Sequence, residues 1–225
     1  MNYSISQNKL LRLLQISSPT LPVGSYAYSQ GAESAVHSGL VCDAETASAW
    51  VRDVLLNSFA YGDLALLNLC YQAWSVNDQQ KLEQLIELSL ALRETHELQQ
   101  EDFHLAKALL RLAAPLEISF PERASTVVTY PWAFARFAQH WQVPLEETLQ
   151  AFAWSWLENQ VAAMIKLVPL GQTQGQVMIL GMDDVILQAV EIAKSVSEAE
   201  IGCSLPNFAI LSSVHEIQYS RLFRS

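Results

Sequence analysis

Apolar residues recur at three- and four-residue spacing along most of the chain, and no sustained apolar/polar alternation marks a strand. The pattern predicts an all-α fold. Lys9 to Ile16 forms a short helix that stops at SSPTLPVGS, where Pro19, Pro22 and Gly24 break it. A second helix is expected over Tyr28 to Ser38, ending at Gly39. Asp43 stands at the N-cap position of AETASAWVRDVLLNSFA, and YGD at 61–63 is expected to punctuate that helix before LALLNLCYQAW.

Asn77 or Asp78 caps QQKLEQLIELSLALR. The stretch ETHELQQEDFHLAKALLRLA continues it or starts anew. Its apolar stripe is Leu98, Leu105, Leu109 and Leu112; Glu94, Glu97, Glu101 and His104 lie opposite. Pro115 and Pro121 mark a loop. Pro131 suits the first turn of PWAFARFAQHW. Pro144 opens LEETLQAFAWSWLENQVAAMIKLV, which is apolar nearly all round and therefore central and buried. LGQTQGQ is read as an interruption and VMILGMDDVILQAVEIAKSV as a further helix. The loop IGCSLPN precedes the closing segment. These elements predict a single domain over 1–225, a bundle of about eight to ten helices.

Apolar residues make up 51% of the chain and charged residues only 16%, against about 25% in typical domains. Either the core is large or some apolar surface is covered by a partner; a partner is the favoured reading, because monomers rarely leave broad apolar patches bare. A net charge of −10 with scattered basic residues argues against a nucleic-acid backbone as ligand. No basic region precedes a long apolar run at the N-terminus, and VAAMIKLVPLG is too short and too interrupted to span a bilayer. The chain is expected to be cytoplasmic. Cys42, Cys70 and Cys203 are far apart and form no CxxC, so buried reduced thiols are expected.

Motifs for chemistry are poor. There is no phosphate-binding GxxxxGK[ST], no GxSxG and no HExxH, since Gln100 stands where the second His would follow His96-Glu97. Glu94, Glu97, Glu101 and His104 share a helical face that could ligate a divalent metal, or simply be a solvated acidic face. An independent metal-dependent hydrolase would need a second ligand set, and none is found. Lys166 is the only charge between Glu158 and Asp183. It either snorkels to the surface or anchors a partner. The ending HEIQYSRLFRS sets Ile217, Tyr219, Leu222 and Phe223 among Arg221 and Arg224, with no obvious core of its own to join.

Four stretches together resemble the urease accessory protein F (UreF) family: LLRLLQISSPTLPVGSYAYSQGAESAVHSG, ALRETHELQQED, VAAMIKLVPLGQTQGQ and HEIQYSRLFRS. They span nearly the whole chain, and the last is highly specific. Departures are Ser25 after Gly24, Gln174 where an acid often stands, Ala32-Glu33 for the usual Leu-Glu, and a loose match at YPWAFAR. The resemblance implies an all-helical homodimer with no catalysis and no cofactor of its own, nickel being handled by the complex. It implies as partners UreD (also called UreH), the GTPase UreG and the urease apoprotein UreABC, with neither nucleic acid nor membrane. On it, segments 1–24 and 204–225 are expected to dock partners. His215, Glu216, Tyr219, Arg221, Leu222, Phe223 and Arg224 would meet UreD. Glu33, Lys166, Gln172, Gln176, Arg93 and Glu94 would meet UreG or form the dimer face. The alternative to a scaffold is a GTPase activator supplying an arginine or lysine in trans, with Arg93, Arg136 and the tail arginines as candidates.

Overall fold

The computed structural model describes residues 8–21, 24–121, 127–202 and 205–225, and no strand occurs among them. The expected all-α class is what is found. Helix α1 spans Lys9–Ile16, α2 Ala32–His37 and α3 Ala44–Val54. Asp43 caps α3 in a reciprocal capping box with Thr46. Helix α3 does not stop at YGD: it widens into a π-helical stretch, Leu55–Leu64, and continues as α4, Ala65–Ser75. Gly62 therefore sits inside a continuous helix, because tertiary packing outweighs a single glycine's modest helix penalty.

Asp78 caps α5, Gln79–Ala91, while Asn77 takes a left-handed φ of 55°. Thr95 caps a new helix, α6, His96–Ala113. Helix α7 is Tyr130–His140, with Pro131 in its first turn, and α8 is Leu145–Leu167. Two expectations fail after α8. QTQGQ is helical, within α9, Gln172–Leu180, and VMILGMDDVILQAVEIAKSV is split at Gly181–Met182, with α10 running Asp183–Ser195. Gly175 is helical because it permits contact: a Cβ there would lie 2.5 Å from Ile165 Cδ1 of α8. Helix α11 is Pro206–Glu216.

Helix α8 is the axis expected of it, touching α1, α2, α3, α4, the π stretch, α9 and α10. Leu149, Leu157 and Met164 are fully buried along it. Ala44–Ser75 is 32 residues of helix, apolar enough by length and composition to cross a membrane; its most apolar window is largely buried inside the fold, as in a core helix. Cys70 is buried, and burial pushes its thiol pKa up. Cys42 is exposed, against expectation, because it lies outside the helix that Asp43 caps; Cys203 lies outside the described residues.

The second helix starts four residues later than expected. Gln30 and Gly31 take left-handed φ values of 51° and 79°, so Tyr28–Gly31 is a turn. The Ser29 and Gln30 amides, which the first turn of a helix would leave without an internal acceptor, are donated to the far end of the chain.

Candidate functional site

The backbone oxygen of Ser225 accepts the N–H groups of Ser29 at 2.8 Å and Gln30 at 3.0 Å, together with the Ser29 hydroxyl. Arg224 N–H donates to the Ala27 oxygen at 2.8 Å. The YSQG turn is thus a receptor for the RLFRS segment; its left-handed backbone at 30 and 31 suits Gly31 and costs Gln30 a modest strain. Gly31 also packs tightly, since a Cβ would sit 3.1 Å from Ser212 Oγ of α11 and push it aside.

Glu33, on the first turn of α2, completes the clamp. Its carboxylate accepts Leu222 N–H at 2.7 Å and Phe223 N–H at 2.9 Å, and pairs with His215 Nε2 at 3.3 Å. The other ring nitrogen of His215 lies 2.7 Å from Glu97, which also pairs with Arg221. Glu216 in turn accepts the Glu97 N–H at the start of α6. Glu33, His215, Phe223 and Ser225 are all buried.

The expectation that the tail has no core of its own is therefore corrected for Phe223, whose ring lies beneath Lys166 Nζ at 5.4 Å from its centroid. It holds for Ile217, Tyr219 and Leu222, which are exposed, Tyr219 fully. Lys166 keeps its ammonium at the surface, as a snorkelling lysine does.

The face carrying Glu94, Glu97, Glu101 and His104 is solvated only in part: Glu94 and His104 are exposed, Glu97 is half-buried. Glu101 is buried, accepting Ser225 Oγ at 2.8 Å and Gln30 Nε2 at 2.8 Å. Gln30 is itself held by Trp156 Nε1 of α8 at 2.7 Å. Burial raises the Glu101 pKa to about 7, the hydrogen bonds from Ser225 and Gln30 opposing it. Glu94 is exposed, Glu97 is taken by His215 and Arg221, and His104 Nδ1 lies 3.2 Å from the Tyr28 hydroxyl. No grouping of His, Cys, Asp and Glu placed to hold a metal occurs among the described residues.

Arg93 is also internal. Its guanidinium donates to both oxygens of Asp63, at 2.6 and 3.0 Å, and to Asp102 Oδ2 at 3.1 and 3.3 Å. Asp63 comes from the π-helical stretch. Asp102 accepts from Ser89 Oγ and from Tyr130 N–H at the start of α7. One ion triad thus joins the π stretch, α5, α6 and α7. Burial raises the Asp102 pKa, and the Arg93 charge counters it. The triad and Glu101 line a cavity of about 210 Å³ beside Trp156 and Gln30.

Gln172 and Gln176 are exposed on α9, away from the tail clamp, and are not brought into it. Spacing within α6 brings Glu97 and Glu101 onto one face, but their partners Gln30, His215 and Ser225 lie up to 124 residues away. No periodicity signals such contacts.

The motifs singled out in the sequence thus converge: the SQG turn, the start of α6, Lys166 of α8 and the tail. A family model described as UreF matches residues 41–183. The urease accessory protein UreF of Marinomonas sp. (strain MWYL1) is 43% identical over 217 residues, covering 96% of this chain and 94% of the relative. The chain belongs to the UreF family. The namesake of Alkalilimnicola ehrlichii is 40% identical, covering 95% of each chain. That of Teredinibacter turnerae is 42% identical, covering 97% of this chain and 99% of its own. As a UreF protein the chain has a role in urease maturation, and its family name is that of an accessory protein rather than a catalyst.

Proposed function

We propose that this chain is the cytoplasmic bridging subunit of a homodimer-based complex that delivers nickel to the urease apoprotein UreABC, joining UreD (UreH) to the GTPase UreG. The observation that supports it is the division of the tail. Phe223 and Ser225 are buried anchors, while Ile217, Tyr219 and Leu222 stand exposed beside Arg221 and Arg224. A segment held rigidly by its backbone presents apolar side chains at low entropic cost, which favours tight docking. Aromatic and arginine side chains commonly dominate such interfaces. UreD is the occupant assigned to this face. The exposed Lys166, Gln172, Gln176 and Glu94 are assigned to UreG or the dimer partner, whereas Glu33 and Arg93 act from inside by holding the fold that presents them.

The test is co-purification with UreD. Tyr219→Ala combined with Leu222→Ala is expected to abolish it with the melting temperature unchanged. Retained co-purification sinks the assignment of this face.

The alternative, activation of UreG by a cation in trans, is narrowed by the ion pairs. Arg93 is locked by two aspartates, and Arg221 is tied to Glu97. Single-turnover GTP hydrolysis by UreG, with and without this chain and UreD, separates the readings. A rate increase lost in Arg224→Ala or Lys166→Ala favours activation. No increase, with nickel delivery intact, favours the scaffold.

A further inference from the structure

The protein carries ten more negative than positive charges, yet one surface concavity of about 240 Å³ gathers cations. It is lined by His104, Lys107 and Arg111 of α6 and by Arg224 of the tail, with Tyr28 among them. Residues 104, 107 and 111 fall on one helical face at i, i+3 and i+7, so their crowding is a property of the helix. Like charges four residues apart destabilise a helix, so Lys107 and Arg111 do not stabilise α6 by being neighbours. Carboxylates outnumber cations in this chain, but among the described residues none forms an ion pair with Lys107, Arg111 or Arg224. Lys107 instead rests over the Phe103 ring at 5.4 Å.

The concavity is preformed. Arg224 is fixed by its own amide on Ala27 and by the neighbouring Ser225 anchored in the YSQG turn. The Arg224 side chain lines the concavity beside Tyr28. The Tyr28 hydroxyl lies 3.2 Å from His104 Nδ1 at the same concavity. Two cationic side chains from α6, one from the tail and the His104 imidazole thus surround one small volume. Planar guanidinium forks and point-charge ammonium groups suit oxygen anions.

We propose that this concavity binds a small oxyanion of the phosphate or sulfate type, and that the anion, by engaging Arg224, tightens the tail on the YSQG turn. The inference concerns the isolated chain and does not depend on the bridging role.

The test titrates the full chain with orthophosphate, and separately with sulfate, at constant ionic strength set by sodium chloride. Melting temperature and hydrogen exchange of amides 222–225 are read together. Expected is a saturable rise in melting temperature, with tail exchange slowed at least about 3-fold, as binding to the native state requires. Lys107→Gln and Arg111→Gln should each weaken the apparent affinity at least about 5-fold, a loss in keeping with one charged hydrogen bond. Both side chains are exposed, and a far-ultraviolet dichroism spectrum checks each fold. Lys194→Gln, on α10, should change nothing. The proposal is overturned by a non-saturable response or by an equal response in the Lys107 and Arg111 variants. It is likewise overturned if hexaglutamate stabilises the chain and neither oxyanion does, which would make the concavity a docking face for an acidic protein segment.

Discussion

Glu33 and Phe223 are 190 residues apart, yet the Glu33 carboxylate accepts the Phe223 amide at 2.9 Å. The same carboxylate takes the Leu222 amide and faces His215, so one buried side chain satisfies a whole turn of the tail. Backbone donors that would otherwise be orphaned in a buried segment thereby find a charged acceptor.

Glu33→Ala should therefore free the tail without dissolving the bundle. The expected loss is about 1.5–3 kcal/mol, the scale of a hydrogen bond to a charged group. Urea denaturation measures the loss, and hydrogen exchange should locate it at residues 215–225. Protection unchanged there would refute the clamp.

Phe223→Ala removes the buried anchor and exposes its pocket under Lys166. A cost of about 3–5 kcal/mol is expected for truncating a buried phenylalanine. Tyr219→Ala, at a fully exposed position, should cost less than about 0.5 kcal/mol. Thermal melts of the two variants distinguish an internal anchor from an outward-facing side chain.

Glu101 makes stability depend on pH. Its pKa rises from 4.5 to about 7 on folding, chiefly through burial, so the folded chain holds a proton that the unfolded chain releases between those values. Its contribution is complete below about pH 4.5, declines as pH rises across the window and is lost above about 7. The span corresponds to about 3 kcal/mol. Glu101→Gln, neutral at every pH and still able to accept from Ser225, should flatten this part of the stability profile. Denaturation midpoints from pH 5 to 8, wild type against variant, provide the check; parallel profiles would contradict it.

Arg93→Met leaves Asp63 and Asp102 without their cation, Asp102 being buried. Removing one partner of a buried ion pair costs about 3–5 kcal/mol. Arg93→Lys should recover only part, since an ammonium cannot reproduce the paired donors to Asp63 and the contacts to Asp102. Calorimetric melting of the three proteins should rank them wild type, lysine, methionine.

Local chemistry made much of this protein legible in one dimension. Asp43, Asp78, Thr95 and Pro131 mark helix starts because a cap or a first-turn proline acts within three or four residues. The apolar character of α8 on nearly every side pointed to burial at the centre. The motif blocks SYAYSQG and HEIQYSRLFRS carried the family. Tertiary structure decided what those blocks do for one another. Ser29 and Gln30 form a turn rather than the start of a helix, and their amides are held by Ser225, 195 or more residues away in sequence. YGD stayed helical because packing outweighed one glycine. Glu101 left the solvated face because Gln30 and the tail closed over it. Sequence periodicity reports only which side of an element is apolar. A hydrogen bond or ion pair across a hundred residues depends on where the bundle brings two elements together, and that is settled by packing of the whole chain.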